Sequence, residues 1–246
     1  MIYTLFSPSE GKRGGGTLPS LNTETLLFGL APRRDILETY HALVSGGDRS
    51  DALALFGLKK PEDATPYFLD IFAAPTLTAL ERYDGVAYDY LDYVSLDANA
   101  KAYLQAHLII FSNLFGPLRG GDRIPNYKVK QGNAVGDIVP ERFYKTAFNA
   151  ALDTMTSDAE ILDLRAGYYD KFFTPSQPVT TMKFVKEGKV VSHWAKAYRG
   201  IVLRHLALNR FDTVKELLAS NIPGLRISEI IEKRRKTEVV YDIIQA

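Results

Sequence analysis

The sequence predicts an α/β fold, with helices and strands mixed along a single domain that spans residues 1–246. Two short apolar runs, IYTLF and LIIFS, have the length and composition of buried strands. Amphipathic segments of helical period lie between them and after them. No repeat, low-complexity tract or linker divides the 246 residues, so one α/β domain is the economical interpretation.

The first half begins with the strand IYTLF and continues, from Thr23 to about Phe56, with mainly helical sequence. Pro66 and Pro75 break the next segment into short helical pieces. LDANAKAYLQAHL then predicts a helix that leads into the strand LIIFS. The clearest helix, which stops at Gly46-Gly47, has an apolar stripe of Ile36, Leu37, Tyr40, Leu43 and Val44.

The second half opens with SNLFGPLRGGDRIPNYKVKQGN, whose glycines and prolines predict little regular structure. EILDLRA predicts a strand, and TTMKFVKEGKVVSHW predicts a hairpin. AKAYRGIVLRHLALN and FDTVKELLAS predict helices, and LRISEIIE and TEVVYDII predict a pair of alternating strands joined across KRRK. PERFYKTAFNAALDTM predicts a helix whose inward residues are Phe143, Ala147, Ala150, Ala151 and Met155.

Composition excludes several classes of function. The chain has no cysteine, which removes disulfides, thiol catalysis, iron–sulfur clusters and cysteine zinc sites. No apolar run reaches the length of a membrane span, and the first residues lack the pattern of a secretory signal, so we expect a cytoplasmic protein without membrane contact. The net charge is +1, but residues 51–100 carry a balance of −6 (three basic, nine acidic) and residues 165–246 one of +7 (fifteen basic, eight acidic). Such asymmetry can mark an anion-binding face.

The loop SPSEGKRGGG follows the first strand and combines glycines with Lys12 and Arg13. A nucleotide-hydrolysing loop of the GxxxxGK[ST] type is excluded, because Lys12 precedes most of the glycines and Arg13 stands where Ser or Thr is needed. Two interpretations stay open. The loop either faces an anion or is a solvated exit from the strand.

Basic residues in irregular sequence are the stronger candidates for a site. Arg119 and Arg123 flank Gly120-Gly121-Asp122, and Tyr127 and Lys128 follow. Arginine forks bind phosphate, and a tyrosine can donate to it or stack on a base. Asp122 can instead pair with an arginine and make a rigid structural turn.

A second basic pair lies later in the chain. Lys196 and Arg199 are three residues apart on one face of a predicted helix. Gly200, beside them, suits close packing as well as a ligand.

Histidine and acidic residues give weaker signals. Four histidines occur without a metal-ligand spacing, and His193 is a candidate general base or a structural hydrogen-bonding residue. Asp84, Asp89 and Asp92 offer oxygen ligands for iron, although the same segment suits a solvated aromatic surface. The residues therefore predict no catalytic group, no cofactor and no metal site.

Five ordered motifs carry a resemblance: SPSEGK, YDGVAYDYLD, IFSNLFGPLRGGDRIPNYKV, DLRAGYYDKFF and VVSHWAKAYRG. Together they closely resemble the YaaA family of peroxide-stress proteins, in the branch whose first loop reads PSEGK. Lys128 replaces an arginine of the family's central motif and so lacks the planar fork. The residues that match this motif are Leu114, Gly116, Leu118, Arg119, Asp122, Ile124, Tyr127 and Gly132.

The resemblance implies a mixed central sheet surrounded by helices and a cytoplasmic protein of the response to hydrogen peroxide. It further implies less damage from free iron and binding of DNA, duplex or branched, in a positively charged cleft. It implies no established reaction. The alternative is an enzyme acting on a small anionic or nucleotide-like substrate, with Glu10, Asp122 and His193 in support. Both hypotheses expect one cleft that gathers Lys12, Arg13, Arg119, Arg123, Tyr127, Lys128, Lys196 and Arg199.

Overall fold

A mixed eight-stranded sheet forms the centre of the protein in a computed structural model that describes residues 1–22, 24, 26–46 and 49–244, without the side chains of residues 192 and 193. The strands are β1 (Ile2–Phe6), β2 (Gly11–Lys12), β3 (Leu77–Thr78), β4 (Tyr83–Asp84), β5 (Leu108–Ser112), β6 (Gly116–Arg119), β7 (Arg123–Ile124), β8 (Glu160–Asp163), β9 (Val179–Lys186), β10 (Lys189–Val190), β11 (Leu225–Lys233) and β12 (Lys236–Ile243). The helices are α1 (Arg34–Ser45), α2 (Arg49–Phe56), α3 (Pro61–Ala64), α4 (Ala79–Arg82), α5 (Val86–Leu91), α6 (Ala98–His107), α7 (Pro140–Thr156), α8 (Ser192–Asn209) and α9 (Val214–Ala219).

The strand order in the main sheet is β11-β12-β9-β8-β1-β5-β6, with β10 also paired to β9. β1 lies between β5 and β8 and is parallel to both, with Thr4 opposite Leu108 and also opposite Leu162. β9 continues the parallel part on β8 and on β12, whereas β6 and β11 add antiparallel pairs at the two edges. Strands buried on both faces read as continuous apolar runs, which is why IYTLF and LIIFS were recognisable. The predicted α/β class with a mixed central sheet is confirmed.

Most predicted helices are present, but one presents a different face. In α1 the stripe places Ile36, Leu37, Tyr40 and Val44 in the core, as expected. In α7 the prediction was wrong by one position, since Ala147 and Ala150 are exposed. The buried row of that helix is Pro140, Tyr144, Phe148, Leu152 and Thr156, four residues apart along one face.

The segment predicted to be irregular contains a strand, β6, at one edge of the sheet. Pro117 lies opposite Phe111 of β5 in an antiparallel pair. An edge strand can accept proline, because a residue there need not donate a hydrogen bond to a second neighbour. The prediction therefore fails for residues 116–119, because a proline interrupts a strand only where its N–H would be needed by a second neighbour.

Short strands position the segments that surround the sheet. β2 pairs with β4, so that Gly11 lies opposite Asp84 and Lys12 opposite Tyr83. β3 pairs with β7, which places Thr78 opposite Arg123. Within the described residues, no helix combines the length and the apolar character that crossing a bilayer requires.

Candidate anion-binding cleft

A cleft of about 630 Å³ opens where β1 and β8 end. One wall is the loop after β1, residues 6–11, and a second is formed by residues 84–89. Leu164, Ala166 and Tyr169, which follow β8, form its floor, and Lys196 and Arg199 of α8 face it. We call this the loop cleft. The carboxyl ends of parallel strands are where α/β sheets commonly bind ligands.

Hydrogen bonds from two other segments fix the loop after β1. The Ser7 hydroxyl accepts a bond from the Ala166 backbone N–H at 2.8 Å, and the Tyr88 hydroxyl donates to the Ser7 carbonyl at 2.9 Å. At Gly11 the backbone passes so close to β4 that a Cβ would lie 2.7 Å from the Asp84 carbonyl oxygen. The glycine of PSEGK is therefore needed for close approach of two backbones, and the loop is more than a solvated exit from the strand.

Lys196 and Arg199 supply positive charge on one face of α8. Lys196 is exposed and Arg199 is half-buried. Burial lowers the pKa of Arg199, while the nearby carboxylates of Asp163 and Asp170 act in the opposite direction. Gly200, next to them, packs against α5, where a Cβ would meet the Ala87 carbonyl oxygen at 2.1 Å. The glycine thus serves helix packing, one of the two roles its position suggested.

Lys12 lies beside the cleft, with its ammonium against aromatic rings. Its Nζ donates hydrogen bonds to the carbonyl oxygens of Ser9 at 3.1 Å and Glu10 at 3.3 Å. It also lies 4.4 Å from the centre of the Tyr127 ring and 5.5 Å from that of Tyr83. Burial lowers the pKa of Lys12 to about 7, and the positive charge of Lys128 contributes in the same direction. Such a shift, beside a cleft, is typical of functional sites as well as of buried structural groups.

A chain of buried hydroxyls runs beneath Lys12. The Tyr127 hydroxyl forms hydrogen bonds with the hydroxyls of Tyr83 at 2.8 Å and Ser112 at 2.7 Å. Burial raises the pKa of Tyr83 to about 12 and that of Tyr127 well above its usual value, so both phenols keep their protons. The sequence analysis did not identify Tyr83 and Ser112 as candidate site residues. Tyr83 begins β4 and Ser112 ends β5, and the ends of strands are where side chains from different segments meet.

Arg82 is a buried cation that sequence reasoning also missed. Its guanidinium donates to the carbonyl oxygens of Arg13, of Gly15 at 2.8 Å and of Ile124. It therefore fixes the backbone of the glycine-rich stretch without contacting solvent. The Arg13 side chain is exposed, and it borders a separate small depression together with Tyr88 and Asp89.

The structure separates the two arginines of the GGD turn from the loop cleft. Arg119 lies opposite Ile109, at the start of β5, whereas the cleft lies beyond the opposite end of that strand. Arg119, Asp122 and Arg123 line a different recess, of about 540 Å³, that shares no lining residue with the loop cleft. We call it the arginine recess. The prediction that all these cations lie in one cleft is thus wrong. β6 runs antiparallel to β5, so it takes the chain back to the end of the sheet that is remote from the loop cleft.

Asp122 has a structural position in that recess. Its carboxylate accepts backbone N–H groups of Leu27 at 2.7 Å and Arg119 at 3.0 Å. Burial raises the pKa of Asp122 to about 6, against the effect of these bonds. The rigid-turn alternative therefore describes its contacts, although the partners are backbone groups rather than guanidinium groups.

The other predicted residues differ in their position relative to the loop cleft. Glu10 lines the loop cleft, and its carboxylate accepts the Gln131 backbone N–H at 3.3 Å. Lys128 lies near Lys12, with its ammonium 5.7 Å from the centre of the Tyr67 ring. Tyr127 is only 1% exposed, so its ring is covered by protein and does not face a base. His193 is the second residue of α8, but its side chain lies outside the described part of the structure.

The acidic segment provides structural contacts. Asp92 lies 3.6 Å from the Arg204 guanidinium, which also donates to the Leu91 and Asp92 carbonyl oxygens. Among the residues that the structure describes, no group of three or more histidine or acidic side chains is arranged to hold a metal ion.

Comparisons with known proteins agree with the resemblance of the motifs. A family model described as peroxide stress protein YaaA matches residues 2–230. An uncharacterized protein of Campylobacter jejuni is 43% identical over 242 residues, which cover 98% of each chain. UPF0246 proteins of Streptomyces coelicolor (31% identical, 83% of this chain and 82% of the relative) and Corynebacterium efficiens (32%, 96% and 98%) are also similar. The chain therefore belongs to the family of the peroxide stress protein YaaA.

Proposed function

We propose that this peroxide stress protein acts by binding a small anionic, nucleotide-like molecule in the loop cleft. The observation that carries the proposal is the pair Lys196 and Arg199, one turn apart on α8 and facing the cleft. The cleft volume of about 630 Å³ lies within the range of roughly 300–1,000 Å³ typical of small-molecule sites. The arginine offers a planar fork for a phosphate or carboxylate, and the lysine a mobile point charge.

The same cleft offers groups for a reaction on the bound molecule. Glu10 is exposed and lines the cleft, and its carboxylate can accept a proton or a hydrogen bond from a ligand hydroxyl. Tyr88 and Tyr169, both largely buried, also line the cleft. This combination of cations, a carboxylate and aromatic surface supports an enzyme acting on a nucleotide-like substrate more than a passive anion trap.

Calorimetric titration with pyrophosphate and with adenosine phosphates tests the proposal. Lys196→Ala and Arg199→Gln should each weaken binding about tenfold or more, since a charged hydrogen bond contributes roughly 1.5–3 kcal/mol. Arg119→Ala combined with Arg123→Ala is the matched control, because it removes two cations from the arginine recess. Equal losses of affinity in the loop-cleft variants and in the arginine-recess control would contradict the proposal. So would an affinity that Lys196→Ala and Arg199→Gln leave unchanged.

DNA, duplex or branched, is the second candidate ligand. The supporting observation is that positive charge extends from the cleft onto the hairpin between β11 and β12. Asp170 interacts electrostatically with both Arg199 and Lys236, so the turn end of that hairpin lies near Arg199 in the cleft. Lys233, Arg234 and Arg235 at its tip are exposed, as is Lys196. A phosphate backbone following these groups would bind mainly through charge.

Fluorescence anisotropy with a labelled duplex and a four-way junction tests this candidate. Binding should weaken steeply between about 50 and about 200 mM salt. Replacing Arg234 and Arg235 by Ala should weaken DNA binding and leave binding of pyrophosphate unchanged. No binding at low salt, or full binding by the hairpin variant, would count against DNA.

At the level of the cell, we assign the protein to the cytoplasm and to a response that limits damage driven by free iron. The support is membership in a peroxide stress family. Electron paramagnetic resonance of chelatable iron in a deletion strain tests this assignment. Wild-type protein should lower the iron signal after peroxide, and Lys196→Ala with Arg199→Gln should not. A variant as effective as wild type would separate the iron effect from the loop cleft.

A further inference from the structure

The amine of Lys12 is held by neutral groups rather than by an acidic side chain. Its hydrogen bonds go to the carbonyl oxygens of Ser9 and Glu10, and two tyrosine rings cover one side of it. Within the described ranges, no carboxylate lies within ion-pair distance of its Nζ. An ammonium ion in such a position gains little from direct neutralisation and can give up its proton.

The surrounding charges favour loss of that proton. Burial lowers the pKa of Lys12 to about 7; Lys128 and Arg82 add to the effect, and Glu10 opposes it. Near neutral pH a large share of the molecules therefore carries a free amine, whereas an exposed lysine with a pKa near 10.4 is almost fully protonated. A lysine amine that is desolvated and close to other cations is a recognised arrangement for nucleophilic catalysis.

Proton donors and an acceptor lie next to this amine. The Tyr127 and Tyr83 hydroxyls remain protonated and are linked to Ser112 in one chain. The Glu10 carboxylate is exposed two residues before Lys12. The Glu10 carboxylate can take up and return the protons that a carbonyl addition moves, whereas the phenols, which keep theirs, can offer hydrogen bonds.

The amine is also adjacent to the loop cleft. Ser9 and Glu10, whose carbonyl oxygens accept its hydrogen bonds, both line the cleft. Lys196 and Arg199 face the same space and suit a carboxylate or phosphate. A molecule with an anionic group and a reactive carbonyl group would therefore find a complementary partner for each.

We propose that Lys12 forms an imine with the carbonyl group of an anionic aldehyde or keto compound held in the loop cleft. The amine lone pair attacks the carbonyl carbon, a C–N bond forms, and the carbonyl oxygen takes up the proton that nitrogen loses. The resulting hydroxyl group is protonated and leaves as water, and the nitrogen loses its second proton as the C=N bond forms. No oxidant or reductant is needed. The inference rests on the proposed function, because the anionic group is bound by Lys196 and Arg199.

Reductive trapping tests the inference on the intact protein. Glyoxylate serves as the anionic aldehyde and acetaldehyde as a neutral one, each with borohydride, which adds hydride to the imine carbon. Peptide mass mapping then locates the carboxymethyl or ethyl group on individual lysines. At about pH 7 we expect glyoxylate to label Lys12 at least about tenfold more than Lys128 or Lys196, because a desolvated amine close to other cations is the more reactive nucleophile. Arg199→Gln should reduce labelling by glyoxylate and leave labelling by acetaldehyde unchanged.

Three outcomes separate the two proposals. Glyoxylate labelling spread evenly over exposed lysines, with pyrophosphate still bound in the cleft, would overturn the imine and leave the proposed function standing. Equal labelling of Lys12 by both aldehydes, unaffected by Arg199→Gln, would overturn the inference together with the anion site. Selective labelling by glyoxylate, lost in a folded Lys12→Arg variant, supports both. The wild-type measurement needs no variant, so the test does not depend on how well Lys12 variants fold.

Discussion

The ammonium of Lys12 lies 4.4 Å from the centre of the Tyr127 ring, within the distance of a cation–π contact. The contact joins β2 to the segment after β7, and the Tyr127 hydroxyl continues the connection to Ser112 at the end of β5. Three distant parts of the chain thus meet under one charged side chain. Any change in the charge of Lys12 is therefore expected to affect the stability of the whole region.

Lys12→Met should remove a rise in stability with pH. The pKa of Lys12 is about 7 in the folded protein and near 10.5 when unfolded, so between these values the unfolded chain binds the extra proton. The stabilisation that comes from a neutral Lys12 is complete above the pKa of this lysine in the unfolded chain, and it is lost as the pH falls to about 7. The free energy of unfolding should thus rise from about pH 7 to about pH 9, by at most about 1.4 kcal/mol per pH unit. Urea titrations at several pH values check this, and parallel curves for variant and wild type would refute it.

Tyr127→Phe should destabilise the protein while keeping the ring under Lys12. The change leaves the Tyr83 and Ser112 hydroxyls without their shared partner, which should lower the free energy of unfolding by about 1–3 kcal/mol. Tyr90→Phe is the control, because Tyr90 is 43% exposed and its change should stay within about 0.5 kcal/mol. Chemical denaturation compares the two, and a similar small effect for both would argue against the hydroxyl chain.

Asp122→Ala should cost more stability than Asp122→Asn. Alanine leaves the buried N–H groups of Leu27 and Arg119 without an acceptor, a loss of about 2–4 kcal/mol, whereas asparagine retains an amide oxygen. Wild type should also lose stability as pH rises from about 4 to about 6, because burial raises the pKa of Asp122 to about 6. Denaturation at both pH values should show that this slope is absent from Asp122→Asn, and its persistence there would assign it to another group.

Gly200→Ala should destabilise the packing of α8 on α5. Alanine favours a helix over glycine by about 1 kcal/mol, but its Cβ would lie 2.1 Å from the Ala87 carbonyl oxygen. We expect the clash to prevail, with a net loss of about 1–3 kcal/mol. Gly14→Ala, where a Cβ would meet nothing within 4 Å, should be nearly neutral. Thermal unfolding distinguishes the two variants. A melting temperature for Gly200→Ala equal to or above that of wild type would show that α8 and α5 can move apart without loss of stability.

Local periodicity made the main elements predictable, and tertiary context explains the errors. The stripe of α1 follows a period of 3.6 with large apolar residues, so its buried face could be identified. In α7, alanines suggested one face, but the larger Tyr144 and Phe148 side chains bury more area and occupy the core. β6 was not predicted because it contains Pro117, which an edge strand tolerates, and the sequence alone does not show which strands lack a second neighbour.

The candidate site was predictable only where neighbours in sequence are neighbours in space. Lys196 and Arg199 share a helix face, so their spacing indicated their proximity. Arg119 and Arg123 were wrongly joined to them, since the direction of β6 decides at which end of the sheet they lie. Arg82 belongs to no motif, and Tyr83, which begins the motif YDGVAYDYLD, acquires its contacts only because β4 pairs with β2.

The central position of β1 has a consequence for synthesis on the ribosome. This strand emerges well before both of its partners, which begin at Leu108 and Glu160. A nascent chain that stops short of Leu108 exposes an apolar strand with neither neighbour, and closing such long loops slows folding. Helix α8, which carries Lys196, is synthesised later still, so the loop cleft is complete only after most of the polypeptide has been translated. Until then, we expect chaperones that shield extended apolar segments to bind β1.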